Sequence, residues 1–373
     1  MAPKGNRLRK SASLSSEQRH RDDNGVANAI EPAWYVDIFH HHPPDGFESG
    51  ERDGLTYFVG GFDLSSRLGA SSVLAWLAKL ILPSPRLLFI GQSTCEFCPV
   101  PKDRSDADIL AAVFGLLEET RAAAALVLNL PSGAPFLRED DNARSKGLLL
   151  LLERNGFEIL GGEALWYVPI DFSSTDDFLK SLPSRHRHRI RRNLKSSHEV
   201  EVKLVTGKAD AISAEDFDAL YLLSENVVGA SKEQFVHISR EWHREFFARW
   251  DESCRLFLFY VGDKLAGFTL GIVSKGLFIY KTTGLDYSIS RKYKLYFVAW
   301  FCMLDYCVRC KLRYFISGQS NDAIKSYLGA ISTPTIHAVY FHNPVLRWAA
   351  RRLKNRLGFV LPEGWSRPEG GEC

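Results

Sequence analysis

This 373-residue chain has no excess of either charge: 47 basic residues stand against 44 acidic ones, for a formal net charge of +3. Overall charge therefore argues neither for nor against a polyanionic partner, and only local clusters are informative. Long hydrophobic runs are missing too. The run 73–82 contains Lys79, stops at Pro83 and is about half as long as a bilayer requires, while the run 295–308 contains Asp305. Both are expected to be buried helices. Residues 1–27 are polar and basic without an apolar core, so they read as a disordered tail and not as a secretory leader. Seven scattered cysteines, an odd number, point to reduced thiols and a cytoplasmic setting. There is no P-loop, no Gly-x-Ser-x-Gly elbow and no Gly-x-Gly-x-x-Gly turn, which leaves the common ATPase, α/β-hydrolase and dinucleotide readings without support.

A metal site is not expected either. Cys95 with Cys98 and Cys307 with Cys310 form two Cys-x-x-Cys pairs, but they lie far apart in sequence, and the second sits at the end of an apolar helix. His40, His41 and His42 precede two prolines and read as a polar loop.

What is present is ordinary globular material, 45% hydrophobic and 24% charged, long enough for two cores. Residues 1–31 form the tail. Residues 32–171 alternate strand and helix: strands at 56–62, 86–92 and 125–130, helices at 107–122 and 144–154, then one or two strands within 157–168. The Ser-rich stretch 171–176 is a boundary. A second lobe, 172–345, opens on a basic helix running to Lys195. A strand at 199–205 follows, then helices at 214–228 and 232–250, the first announced by the capping pair Ser213 and Asp216. Three apolar strands, a long helix, a strand at 313–317, a short helix from Asn321 and a strand at 335–341 complete it. Residues 346–373 are an amphipathic helix and tail. The helix, expected at 344–357, is more often docked on its own sheet than on a membrane, and peripheral membrane contact stays open.

The most informative stretch is 279–330. Arg291, Lys292 and Lys294 are expected where the long helix begins, although the helix dipole repels cations there. A strand feeding a helix N-terminus is a phosphate-binding device, and bound anion would compensate the three cations. Asp286 and Tyr287 occupy the preceding turn. Asp286 equally suits a turn residue bonded to its own backbone, and Tyr280 equally suits packing. Gly318, Gln319 and Ser320 follow a strand end, where open α/β sheets place ligands; Lys325 and Ser317 lie close by in sequence.

Residues 172–345 resemble the acyltransferase superfamily of the GCN5-related N-acetyltransferases (GNAT) and the Fem aminoacyl transferases, in particular its BioF2-like branch. The resemblance rests on the Arg-rich helix 178–195, the hairpin 256–267, Gly284-Leu-Asp-Tyr287, Lys294-Leu-Tyr-Phe297, Gly318-Gln319, Lys325 and Leu328-Gly-Ala330. It implies an α/β (α+β) fold of tandem GNAT-like lobes, each a mixed central sheet flanked by helices. It further implies transfer of an acyl group from a thioester, acetyl-CoA or another acyl-CoA as co-substrate, to a small amine, with no permanently bound cofactor. The implied donor site is Ser290, Arg291, Lys292, Lys294, Leu295 and Tyr296. Asp286, Tyr287 and Tyr280 are the implied catalytic groups, and Ser317, Gly318, Gln319, Ser320 and Lys325 the implied acceptor contacts. One departure stands out: Lys294 and Tyr296 occupy the positions where acetyl-CoA-binding relatives have glycines, so the closest backbone approach is blocked. Two alternatives remain, a Fem-like aminoacyl transferase using charged tRNA and a non-catalytic binding module. The Arg-rich stretch 185–192 suits RNA phosphates but lacks interleaved aromatics, so nucleic acid is the weaker expectation.

Overall fold

The computed structural model of the protein describes residues 25–61, 86–92, 94–207, 213–230 and 238–353. The tail before residue 25, the apolar run 73–82 and the chain beyond 353 lie outside the described residues. In chain order the elements are β1 (Val26–Ala27), α1 (Ala33–His41), β2 (Phe47–Arg52), β3 (Leu55–Gly61), β4 (Arg86–Ile90), β5 (Val100–Pro101), α2 (Asp106–Thr120), β6 (Ala124–Pro131), α3 (Glu139–Arg154), β7 (Glu158–Gly161) and β8 (Leu165–Pro169). There follow α4 (Thr175–Ser181), α5 (Ser184–Asn193), a 3-10 turn (Leu194–Glu199), β9 (Val200–Thr206), α6 (Ala214–Ala230), α7 (Arg240–Ala248), β10 (Cys254–Val261), β11 (Lys264–Ser274) and β12 (Leu277–Leu285). The last are α8 (Tyr287–Tyr293), α9 (Leu295–Arg309), β13 (Tyr314–Gly318), α10 (Asp322–Tyr327), β14 (Ile331–Thr333), β15 (Thr335–Phe341) and α11 (Pro344–Leu353).

Two mixed sheets organise these elements, in the orders β2-β3-β4-β6-β15-β7 and β14-β8-β13-β12-β11-β10-β9. Each is flanked by helices, giving the tandem GNAT-like lobes expected. The central strands read as near-continuous apolar runs because both of their faces are covered. On one face of the second sheet, α9 buries Leu295, Val298, Trp300, Met303 and Leu304 against Phe278 and Phe315. Each large side chain so buried stabilises the fold by about 2 to 3 kcal/mol. On the other face lie α1, α6 and α7 and, nearer β13, residues of the first lobe such as Phe97 and Phe136.

Several expectations need correction. The lobes exchange strands: β8, from the first half of the chain, lies between β13 and β14, and β15, from the second half, lies between β6 and β7. A cut at 171/172 therefore does not separate the sheets. The tail is ordered from residue 25, because β1 pairs with β5 and Ile30 and Glu31 are buried. Leu182 and Pro183 split the basic helix into α4 and α5, since the ring of Pro183 has no N–H to continue the first. The C-terminal helix docks partly through its arginines: Arg347 lies over the Tyr340 ring and Arg351 pairs with Glu158, while Val345 and Trp348 are 68% and 61% exposed. No helix among the described residues is long and apolar enough to cross a membrane.

Candidate functional site

The site begins where two parallel strands part. β12 and β13 pair only along Leu277–Ile279 and Tyr314–Ile316. Beyond Ile279, β12 runs on to Leu285, while β13 turns away at Ser317, whose hydroxyl donates to the carbonyl of Trp166 on β8 at 3.0 Å. A wedge opens between them at the carboxyl ends of both strands, where an α/β sheet offers a crevice. On the other edge of β12 the register against β11 slips: Leu270 faces Thr282 but Gly271 faces Tyr280, leaving Lys281 as a one-residue bulge. Gly271 belongs there because any side chain would lie 2.2 Å from the Phe278 ring.

Strand alternation sends the neighbouring side chains of Tyr280 and Lys281 to opposite faces. Tyr280 points to the α9 side, into a recess lined by Thr269, Thr283, Tyr296, Ala299, Trp300, Met303 and Phe315. The recess has space for about one water-sized group. Tyr280 bonds to the Thr283 side chain, and burial raises its pKa so that it stays protonated. Burial pushes the Tyr296 phenol up to about 12. Lys281 points the other way, to the first lobe. Its ammonium donates to Glu31 Oε1 at 2.6 Å, to the Thr94 carbonyl at 3.0 Å and to Glu96 Oε1 at 3.1 Å, and lies 4.8 Å from the centre of the Tyr35 ring. Burial opposes its charge, but Glu31 and Glu96 outweigh burial and hold it above the usual lysine range. Burial raises the Glu96 carboxyl, with Lys281 offsetting only part of the shift.

The turn after β13 faces the same cluster. Gly318, Ser320 and Asn321 have φ of 79°, 64° and 57°, all in the left-handed region that favours glycine. Lys325, 2% exposed, holds this turn by donating to the carbonyls of Gly318 at 2.9 Å and Gln319 at 2.6 Å, and Gln319 Nε2 donates to the Glu96 carbonyl at 3.4 Å. Burial lowers Lys325 to about 8 from an ordinary 10.5. Between those values the unfolded chain holds a proton that the folded chain has released, so this group makes stability rise with pH. Denaturation of the wild type and of Lys325→Met across pH 8 to 10.5 should show the wild type gaining up to about 3 kcal/mol relative to the variant. A constant difference would mean that Lys325 titrates normally.

The expected donor turn is arranged differently from its sequence reading. The long helix is broken in two at Lys294, which is left-handed with φ 54°. Arg291 and Lys292 thus close the last turn of α8, where the dipole favours cations, and need no anion to explain them. Only Lys294 stands at the start of α9, which lacks a side-chain cap. Arg291 lies over the Tyr287 ring, Lys292 donates to the Tyr293 hydroxyl at 2.9 Å, and Ser290 and Leu295 are buried. Asp286 caps α8: it accepts from Ser288 N at 2.9 Å and pairs with Lys264 at 2.8 Å, and these bonds hold its carboxyl at about 2. A base that weak takes few protons near neutrality. Asp286→Asn, which retains the cap, should leave turnover within about twofold. Its stability deficit should be present at neutral pH and vanish as pH falls through about 2, where the native carboxyl is protonated.

The structure thus puts Tyr280 and Tyr296 together at the recess on the α9 side and Gly318, Gln319 and Lys325 together at the turn beside Glu96, with Asp286, Tyr287 and the three cations at the far end of β12. Sequence reasoning missed Lys281, Glu31 and Glu96. The available signal was a lysine inside the apolar strand Leu-Phe-Ile-Tyr-Lys-Thr-Thr. Among the described residues no group of three or more His, Cys, Asp or Glu side chains is placed to hold a metal ion.

Two helix-flanked mixed sheets, with a parallel pair that parts in the second, define a tandem GNAT-like fold. Residues 184–326 match the acetyltransferase (GNAT) domain family, and this part of the chain is a GNAT-superfamily domain. Similar solved structures include the C-terminal domain of an Agrobacterium fabrum protein described as a lysylphosphatidylglycerol synthetase, at 11% identity over 90% of this chain and 95% of that one, TM-score 0.53. L-PGS from Bacillus licheniformis matches at 9% identity over 89% of this chain and 98% of its own, TM-score 0.52. A Bacteroides thetaiotaomicron protein of unknown function matches at 10% over 88% and 98%, TM-score 0.52. At such identities the likeness is one of fold. No curated protein matches the chain.

Proposed function

We propose that the protein is an acyltransferase that moves an acyl group from a thioester, an acyl-CoA, to an amine. The observation that supports this most is the opening between β12 and β13, with a hydroxyl-bearing recess on one side and a polar cluster on the other. The thioester carbonyl lies in the opening, and the donor phosphates reach Lys294 at the start of α9 and Arg291 and Lys292 beside it. The amine approaches from the side of Gly318 and Gln319. Its nitrogen attacks the carbonyl carbon, the C–S bond breaks, the thiolate leaves, and the amine proton passes to solvent. A protonated Tyr280 donates a hydrogen bond to the charge that develops, so orientation and electrostatics supply the rate without a covalent intermediate.

Three arginines of α5 are engaged within the fold: Arg187 with the Lys180 carbonyl, Arg189 over the Tyr327 ring and Arg191 with Asp176. That weighs against charged tRNA as the donor. Calorimetric titration with acetyl-CoA, CoA, inorganic phosphate and charged tRNA separates the readings. Saturable 1:1 binding of acetyl-CoA is expected; tight, salt-sensitive binding of tRNA alone would overturn the acyl-CoA reading.

A further inference from the structure

Lys281 stands outside both of its neighbouring ladders. The pairing of β12 with β13 ends at Ile279, and the register against β11 skips from Thr282 to Tyr280. What fixes this residue is its side chain, 4% exposed, whose ammonium meets carboxylates 250 and 185 residues away at Glu31 and Glu96. Both belong to the first lobe. Their side chains are 1% and 10% exposed, and Glu31 Oε1 also accepts from the backbone N–H of Glu96 at 3.0 Å, tying the two carboxylates together. Glu31 Oε2 is buried with no partner among the described residues.

Such a cluster is a poor way to gain stability. Desolvating each charge costs several kcal/mol, and packed apolar side chains of similar size do as well or better. An unpartnered buried carboxylate oxygen adds to the cost. What the cluster does supply is a fixed direction. Lys281 itself lies in neither ladder, although β11 pairs with β12 on either side of it, and a slip that absorbed the bulge would put Tyr280 and Thr283, which share a face, on opposite faces. Either Tyr280 or Thr283 would then leave the recess that both line.

We propose that Lys281 is a positioning residue, and that Glu31 and Glu96 of the first lobe clamp it so that the β12 bulge keeps the Tyr280 hydroxyl in the recess beside the opening. The first lobe is therefore part of the reaction centre without itself touching the acyl group. This rests on the acyl-transfer reading for its kinetic consequences but not for its structural ones.

Two variants test it. Lys281→Met removes the ammonium and leaves the carboxylates unpaired, which threatens folding. The triple variant Glu31→Gln/Glu96→Gln/Lys281→Met removes all the charges together and should fold. Crystal structures of whichever variants fold should show the β11–β12 register slipped or Tyr280 turned out of the recess. With acetyl-CoA and an amine as substrates, kcat should fall about 100-fold while KM for acetyl-CoA stays within about threefold, because sub-ångström aim matters to the chemical step more than to binding. Lys281→Arg, which keeps the charge, should recover part of kcat; loss of packing alone would not be rescued this way. A triple variant with Tyr280 in place and wild-type kcat would overturn the clamp. If the wild type fails to turn over any acyl-CoA, the acyl-transfer reading falls, and the variant structures still decide whether the clamp sets the bulge.

Discussion

Tyr280→Phe should lower kcat by two to three orders of magnitude, the range seen when one preorganised donor to a developing oxyanion is removed. The hydroxyl sits in the recess beside Thr283, and burial keeps it protonated across the working pH range. Its elevated pKa makes it a poor donor of a free proton but a constant donor of a hydrogen bond. The substitution keeps the ring in its packing, so thermal stability should change by only about 1 kcal/mol, the usual worth of one hydrogen bond. Turnover and melting temperature measured side by side decide the matter. A variant that keeps near-wild-type kcat would make Tyr280 a packing residue.

Removing the cations at the α8–α9 junction should give the second-largest effect. Lys294→Asn retains a residue that tolerates the left-handed conformation while deleting the charge at the α9 N-terminus, and should weaken acetyl-CoA binding about tenfold. Adding Arg291→Ala and Lys292→Ala should bring the loss to roughly 100-fold, close to 3 kcal/mol, with much of the salt dependence gone. Lys294 carries the larger share per residue, because Arg291 and Lys292 lie at the α8 C-terminus, where the dipole already accommodates them. Calorimetry at two ionic strengths reads both quantities. Unchanged affinity in the folded triple variant would remove the phosphate site from this junction.

Elements dominated by local chemistry were legible in the sequence. The capping pair Ser213 and Asp216 is found as expected, with Asp216 N donating to Ser213 Oγ at 3.1 Å; α2, β6 and β15 fall close to their predicted spans, and α3 ends where expected but begins earlier, at Glu139. The strand exchange was not legible, since the apolar pattern of β8 or β15 is the same whichever sheet receives it. Nor was the separate helix α8 ending at Lys294, because Tyr287–Tyr293 is rich in polar residues and reads as a turn, and lysine carries no marked preference for a left-handed backbone. At the site, the turn at Gly318 was readable from a strand end followed by glycine. The clamp was not, because its three charged groups come from positions 31, 96 and 281 and only the fold brings them together.

The most direct measurement is a crystal structure of the protein with acetyl-CoA or CoA bound. The thiol or thioester end should lie between β12 and β13 just beyond Ile279 and Ile316, within hydrogen-bond reach of the Tyr280 hydroxyl, with the phosphates against the start of α9. Coenzyme A held elsewhere, with the opening between the two strands closed, would contradict the proposed reaction centre.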